Sequence, residues 1–196
     1  MKIHSLASLA LVLFLLTGCA FSNTQVVVSP KPPAGIEALK SPVAVTVETL
    51  RDDRGVDALL VANKGVGMKT SGKYLSARPV AEIVTECLRE SLVAMNCPAG
   101  TGNLLLSGTL LRFDSEPKMG FWSGEMSGVV QFSLKLTDRR SGQVVWTDLI
   151  TGHANKTGLQ IDHEGHRKEV AEAALKDAVG KLVTSPAFRV ALEAGR

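Results

Sequence analysis

Residues 128–152 read GVVQFSLKLTDRRSGQVVWTDLITG, and this stretch decides the fold. In its first half Val130, Phe132, Leu134 and Leu136 alternate with Val129, Gln131, Ser133, Lys135 and Thr137. Successive side chains of a strand point to opposite faces, so this spacing gives one apolar face and one mixed face. The second half carries Val144, Val145, Trp146, Leu149 and Ile150. The polar segment Asp138-Arg139-Arg140-Ser141-Gly142 joins the halves, and a short polar connection with glycine between such runs marks a hairpin. A sheet with one apolar face needs a cover.

The cover lies to either side. Upstream, Leu104 to Phe113 is apolar on both faces, as a central strand would be. Before it Pro79 opens a helix, proline being tolerated at the first helical position. Val80, Ile83, Val84, Cys87, Leu88, Leu92 and Met95 recur there in steps of three and four, and Asn96 and Pro98 end the run. Downstream, Val170/Ala171, Ala174/Leu175, Ala178/Val179 and Leu182/Val183 predict a second helix from about His166 to Thr184. Ser185-Pro186 starts a short third helix with Phe188 and Leu192.

Further upstream, Val43, Val45 and Val47 predict a strand that exits through Arg51-Asp52-Asp53-Arg54-Gly55. The glycine-rich stretch to Ser76 predicts only short strand pieces, around 58–61 and 73–75. The order strand, helix, three strands, helix, helix implies an α+β fold. It would be a small mixed or antiparallel sheet of about four or more strands, with two long helices on one face and a short C-terminal helix.

The first residues say where the chain resides. Lys2 precedes an unbroken apolar run from Leu9 to Leu16, the pattern of a secretory signal peptide. Leu16-Thr17-Gly18-Cys19 matches the bacterial lipobox. Cys19 is therefore expected to become the mature N-terminus, acylated (palmitate or a similar chain) on its sulfur and its new amine. More than one chain at one residue gives stable anchoring, and no other segment reaches the roughly 18 apolar residues of a membrane span. Among lipoproteins that this start resembles, an aspartate after the cysteine retains the protein at the inner membrane. Ala20 stands there instead, which implies the periplasmic face of the outer membrane rather than the inner one. Residues 20–42 carry Pro30, Pro32, Pro33, Gly35 and Pro42 among small polar residues and predict a flexible tether, although Val26-Val27-Val28 could pair with a sheet edge. The expected organisation is a signal peptide over 1–18, a lipidated N-terminus and tether over 19–42, and one α+β periplasmic domain over 43–196.

The formal charge of +3 falls by one when Lys2 leaves with the signal, and no basic stripe interleaves with aromatics, so nucleic acid is not an expected partner. Cys87 lies on the helical stripe, and Cys97 would be about 15 Å away along the axis. A disulfide tolerates only about 7 Å between Cα atoms, so two buried free thiols are expected.

Other constellations are weak. His163-Glu164-Gly165-His166, with His153 as a third candidate, spaces two histidines three apart, whereas the zinc motif needs four on one helix face. A polar helix start, with Asp162 capping and Glu164 meeting the dipole, explains it better, and no metal is expected. Arg51-Asp52-Asp53-Arg54 reads as ion pairs tying down a loop more readily than as a carboxylate pair for acid–base work. Gly65-Val66-Gly67 and Gly100-Thr101-Gly102 lack the phosphate-cradling pattern, and Gly-x-Ser-x-Gly is absent. No catalytic residue and no cofactor are assigned. Met119-Gly120-Phe121-Trp122, between Pro117 and Gly124, either folds onto the core or forms an apolar loop that touches a partner or the headgroup region. Met119, Phe121 and Trp122 are thus the candidate contact residues.

The lipobox at Cys19, the strand Val43 to Val47 running into Arg51-Asp52-Asp53-Arg54, the helix from Pro79 to Met95, and the passage into Ser185-Pro186-Ala187-Phe188 resemble the YajG-type bacterial lipoproteins. The resemblance covers most of the mature chain but matches Glu116 to Met126 poorly. It implies an envelope lipoprotein and supplies no catalytic residues. The expected function is non-enzymatic: an anchored accessory or assembly factor that binds another envelope component, most readily a protein. A binder of a small lipid or cell-wall fragment is the alternative, and a periplasmic hydrolase or metalloenzyme a remoter one.

Overall fold

The computed structural model describes residues 23–66, 69–98, 100, 102–119, 124–159 and 164–195. Signal peptide, Cys19, Phe121, Trp122, Asp162 and His163 lie outside the described residues. The elements in chain order are β1 (Thr24–Val26), β2 (Val45–Val47), β3 (Arg51–Asp52), β4 (Leu60–Val66), β5 (Lys69–Ser76), α1 (Val80–Ala94), β6 (Leu104–Met119), β7 (Gly124–Asp138), β8 (Val144–Leu159), α2 (Glu164–Thr184) and α3 (Pro186–Ala194).

The α+β class holds, with two sheets where one was expected. The larger has the order β2-β6-β7-β8, with β3 also on β6; the smaller has the order β1-β5-β4. β6, β7 and β8 form an antiparallel meander in which Phe132 faces Leu110 on one side and Ile150 on the other. β2 and β3 pair with β6 in parallel, and a parallel pair needs a crossover, which contains α1 here. A bulge between Leu110 and Arg112 shifts the parity of β6. Leu104, Leu106 and Leu110 face the core before it, Phe113 and Ser115 after it.

α2 lies across β8, β7 and β6, and its buried stripe includes Val170, Ala174, Leu175, Ala178 and Leu182. α1 meets α2 and β3. The Arg89 guanidinium donates to Val47 O (2.9 Å), and Thr85 Oγ1 accepts from Leu50 N–H (3.0 Å). Leu88 sits mid-helix with no exposed surface. Leu88→Ala should therefore cost about 3 kcal/mol in a urea melt through lost contacts and a cavity. Exposed Glu90→Ala should cost less than about 0.5 kcal/mol.

Residues 23–42 do not form the expected free tether. β1 pairs in parallel with β5, Thr24 opposite Tyr74, and Val26, Val28 and Leu39 are buried. Leu39 N–H donates to Met95 O (2.8 Å), Ser29 N–H to Glu172 Oε1 (2.8 Å), and Arg189 Nη1 to Glu37 O (2.9 Å). Prolines restrict φ and so reduce the freedom of this segment. Val26 and Val28, two apart, then fall on the same side of the chain.

Cys87 and Cys97 are free and buried. Burial pushes the Cys87 thiol up to about 12, with Glu90 adding to the effect, and burial likewise pushes Cys97 up to about 11. Asn96 takes a positive φ of 67° at the end of α1, and the turned chain lets Cys97 N–H donate to Leu92 O (2.8 Å).

Candidate functional site

Two arginines organise the junction between the sheets. Arg54 follows β3, and its side chain is only 3% exposed. Its Nε and Nη2 grip Asp52 Oδ1 and Oδ2 at 2.9 and 2.8 Å, while Nη1 donates to Leu60 O at 2.7 Å and Nη2 also reaches Ala58 O at 3.1 Å. Burial raises the Asp52 carboxyl, but the bonds from Arg54 outweigh it and hold the group below the usual carboxylate range. Arg51–Asp53 is by contrast an exposed pair at 3.4 Å. The charged strand exit thus ties down the loop into β4, as the sequence reading favoured.

Arg167 opens the buried stripe of α2 and is 2% exposed. Nη1 donates to Ser115 O (2.8 Å), and the guanidinium carbon lies 5.5 Å from the Tyr74 ring centroid, within cation–π range. It links the small sheet, β6 and α2. The sequence reading started the stripe at Val170. Arg167 stands three residues ahead of it, in phase, and that spacing was the signal available.

Between β4 and the 111–117 part of β6 an open cleft of about 440 Å³ is lined by Arg54, Lys64, Arg112, Asp114, Glu116 and Arg167, among others. Arg112 is paired with Asp114 at 2.6 Å, and both deep arginines are engaged with backbone carbonyls. Ser115 Oγ is buried without a hydrogen-bond partner among the described residues. A second open cleft, of about 370 Å³, crosses the face of the large sheet opposite α2 at Gly108, among Ser107, Thr109, Ser133, Lys135 and Thr147.

β8 is the outer strand of that sheet, and a free edge invites pairing with another chain. Its centre is blocked by α2. His153 N–H donates to Asp177 Oδ2 (2.9 Å), Thr151 O accepts from Lys181 Nζ (2.9 Å), and Lys181 pairs with Asp177 at 2.7 Å. Burial raises the Asp177 carboxyl, yet the bonds from Lys181 and His153 hold it below the usual range. Its folded pKa lies under the unfolded value near 3.8, so its contribution is complete above that value and is lost as pH falls through the folded one. Asp177→Asn should consequently lose less stability than wild type between pH 7 and pH 3, measured by urea melts at the two pH values. Beyond the blocked centre, Val144, Val145 and Leu149 remain 53%, 41% and 54% exposed. A register shift between Leu136 and Thr137 accommodates two consecutive valines there.

His153 lies on exposed β8 and His166 in the first turn of α2. Among the described residues no group of three or more His, Cys, Asp or Glu is placed to hold a metal. Met119 ends β6 at the tip of the meander, the start of the segment proposed as a contact loop. Among the described residues no helix is long and apolar enough to cross a membrane.

No family model and no curated protein matches the sequence. Solved structures do. A Xanthomonas campestris protein of the DUF330 family is 13% identical, with a TM-score of 0.64 over 88% of this chain and 100% of its own. A minor lipoprotein from Acinetobacter baumannii is 13% identical, with a TM-score of 0.40 over 57% of this chain and 84% of its own. At such identity the first likeness is one of fold, and the second superposition is too loose to carry more. The chain thus shares its fold with a DUF330 protein.

Proposed function

We propose that this chain is a non-enzymatic lipoprotein of the bacterial envelope, of the YajG type, held by acylated Cys19 at the periplasmic face of the outer membrane. There it serves as an accessory or assembly factor that binds another envelope protein. The observation that carries the reading is the lipobox ending at Cys19, four residues ahead of Asn23, where the described fold begins. Binding of a partner is supported by the exposed Val144, Val145 and Leu149 at the edge of the large sheet. An apolar group of this kind at a strand edge is a common contact surface. A binder of a small lipid would be favoured by an enclosed apolar cavity, whereas both clefts described are open and bordered by charged side chains.

Labelling cells with a fatty-acid analogue tests the anchor. Wild type should take up label and fractionate with outer membranes, and Cys19→Ser should accumulate as unlabelled precursor. Label on Cys19→Ser, or none on wild type, would refute the reading. A photo-crosslinker at Leu149 should capture an envelope protein that the same group at exposed Arg140 does not.

A further inference from the structure

We propose that the β4–β5 hairpin rests on the anionic headgroups of the membrane that holds Cys19; this rests on the anchor reading above. Three observations converge. The first is reach: three residues separate Cys19 from Asn23, and the four peptide steps span at most about 14 Å when fully extended. Asn23 is not free to drift from the domain, because its Oδ1 accepts from Lys73 N–H (3.0 Å) and Thr24 begins β1. The domain is thus held against the lipid surface at this corner rather than suspended above it.

The second is direction. β1 runs parallel to β5, with Thr24 opposite Tyr74 and Val26 opposite Ser76. Asn23 therefore lies toward the end of β5 that precedes Tyr74, which is the end where Val66 pairs with Lys69.

The third is charge. From Ala58 to Ala81 the sequence contains Lys64, Lys69, Lys73 and Arg78 and no aspartate or glutamate. Lys73 is exposed, Lys64 is half-buried with its ammonium 5.3 Å from the Tyr74 centroid, and Lys69 holds the first position of β5. Basic residues within a Debye length of an anionic surface, about 10 Å at 0.1 M salt, are attracted to it. The arrangement orients the domain: the hairpin faces the lipid, and the turn at Arg140, at the other end of β7, faces away.

The full lipidated protein in vesicles tests this. An environment-sensitive dye is placed on Asn63→Cys, which is exposed and opposite Lys73, or on Arg140→Cys. Cys87 and Cys97 are buried and shielded from label. Vesicles are pure phosphatidylcholine or contain phosphatidylglycerol. The dye at position 63 should shift to the blue and lose access to a soluble quencher in the phosphatidylglycerol vesicles, and the dye at position 140 should not. The double change Lys69→Gln/Lys73→Gln, which spares Lys64, should reduce the shift severalfold while the protein still floats with the vesicles and melts as wild type does. Flotation without protection at position 63, or protection that ignores lipid charge, overturns the hairpin contact and leaves the anchor intact. Failure of the wild-type protein to float overturns both.

Discussion

Phe188→Ala should lower the stability of the domain by about 4 kcal/mol, seen as a fall of the urea midpoint. Phe188 has no exposed surface, and its ring lies 4.8 Å from that of Trp146 at an interplanar angle of 53°. That tilted pair joins α3 to the edge strand β8, adding an aromatic contact to the burial of a large side chain. Truncation leaves a cavity between a helix and a strand that are each fixed elsewhere. α3 is set by Ser185, whose side chain accepts from Phe188 N–H (3.4 Å), and β8 by its long pairing with β7, so little collapse can offset the loss. Exposed Val190 in the same helix provides the control: Val190→Ala should stay within about 0.5 kcal/mol of wild type. In a Trp122→Phe background, emission from Trp146 should also shift to the red in folded Phe188→Ala. An unchanged midpoint with unchanged emission would mean that α3 does not pack on β8.

What the sequence disclosed follows from where periodicity is strong. The alternation of β7 and the stripes of α1 and α2 each repeat over several turns or residue pairs, and Val130 to Leu136 on the apolar face and every stripe position named are buried, whereas of the β8 residues named only Trp146 and Ile150 are. The small sheet was legible only as fragments. β4 and β5 contain Gly65 and Gly72, register shifts interrupt their pairing, and among the side chains described there only Leu60, Val61, Ala62 and Tyr74 are apolar and buried, so no period of two is sustained. In residues 23–42 the prolines suggest a tether while Val26-Val27-Val28 suggests a sheet edge, and the valines prevail: β1 pairs with β5, and Val26 and Val28 are buried. The junction residues were the least legible. Arg54 was recognised in a charged run, but its bonds to the carbonyls of Ala58 and Leu60 depend on tertiary placement. A buried arginine such as Arg167 contradicts the prior that charge faces water, and it is sustained by Ser115 O and the Tyr74 ring.

The same change, glycine to alanine, should have opposite signs at two places on α2 and beneath it. Gly152→Ala should destabilise by more than about 3 kcal/mol, or prevent accumulation of folded protein, because it overfills a close contact. Gly152 lies on β8 directly under α2, and a Cβ built there would stand 2.1 Å from Ala174 O and 2.5 Å from Ala178 N. Both are backbone atoms of a helix, so relief requires moving α2 off the sheet rather than rotating a side chain. Such a movement would also disturb Ala174, Ala178 and the Asp177–Lys181 block on the strand edge. Gly180 is itself helical, and the nearest atom to its added Cβ would be Pro33 Cγ at 3.9 Å, an ordinary contact. There alanine removes the entropy cost of a helical glycine, and Gly180→Ala should stabilise by about 0.5–1 kcal/mol. Urea melts of the two variants beside wild type decide the matter. A tolerated Gly152→Ala would show that α2 does not approach the sheet closely, whatever the effect of Gly180→Ala.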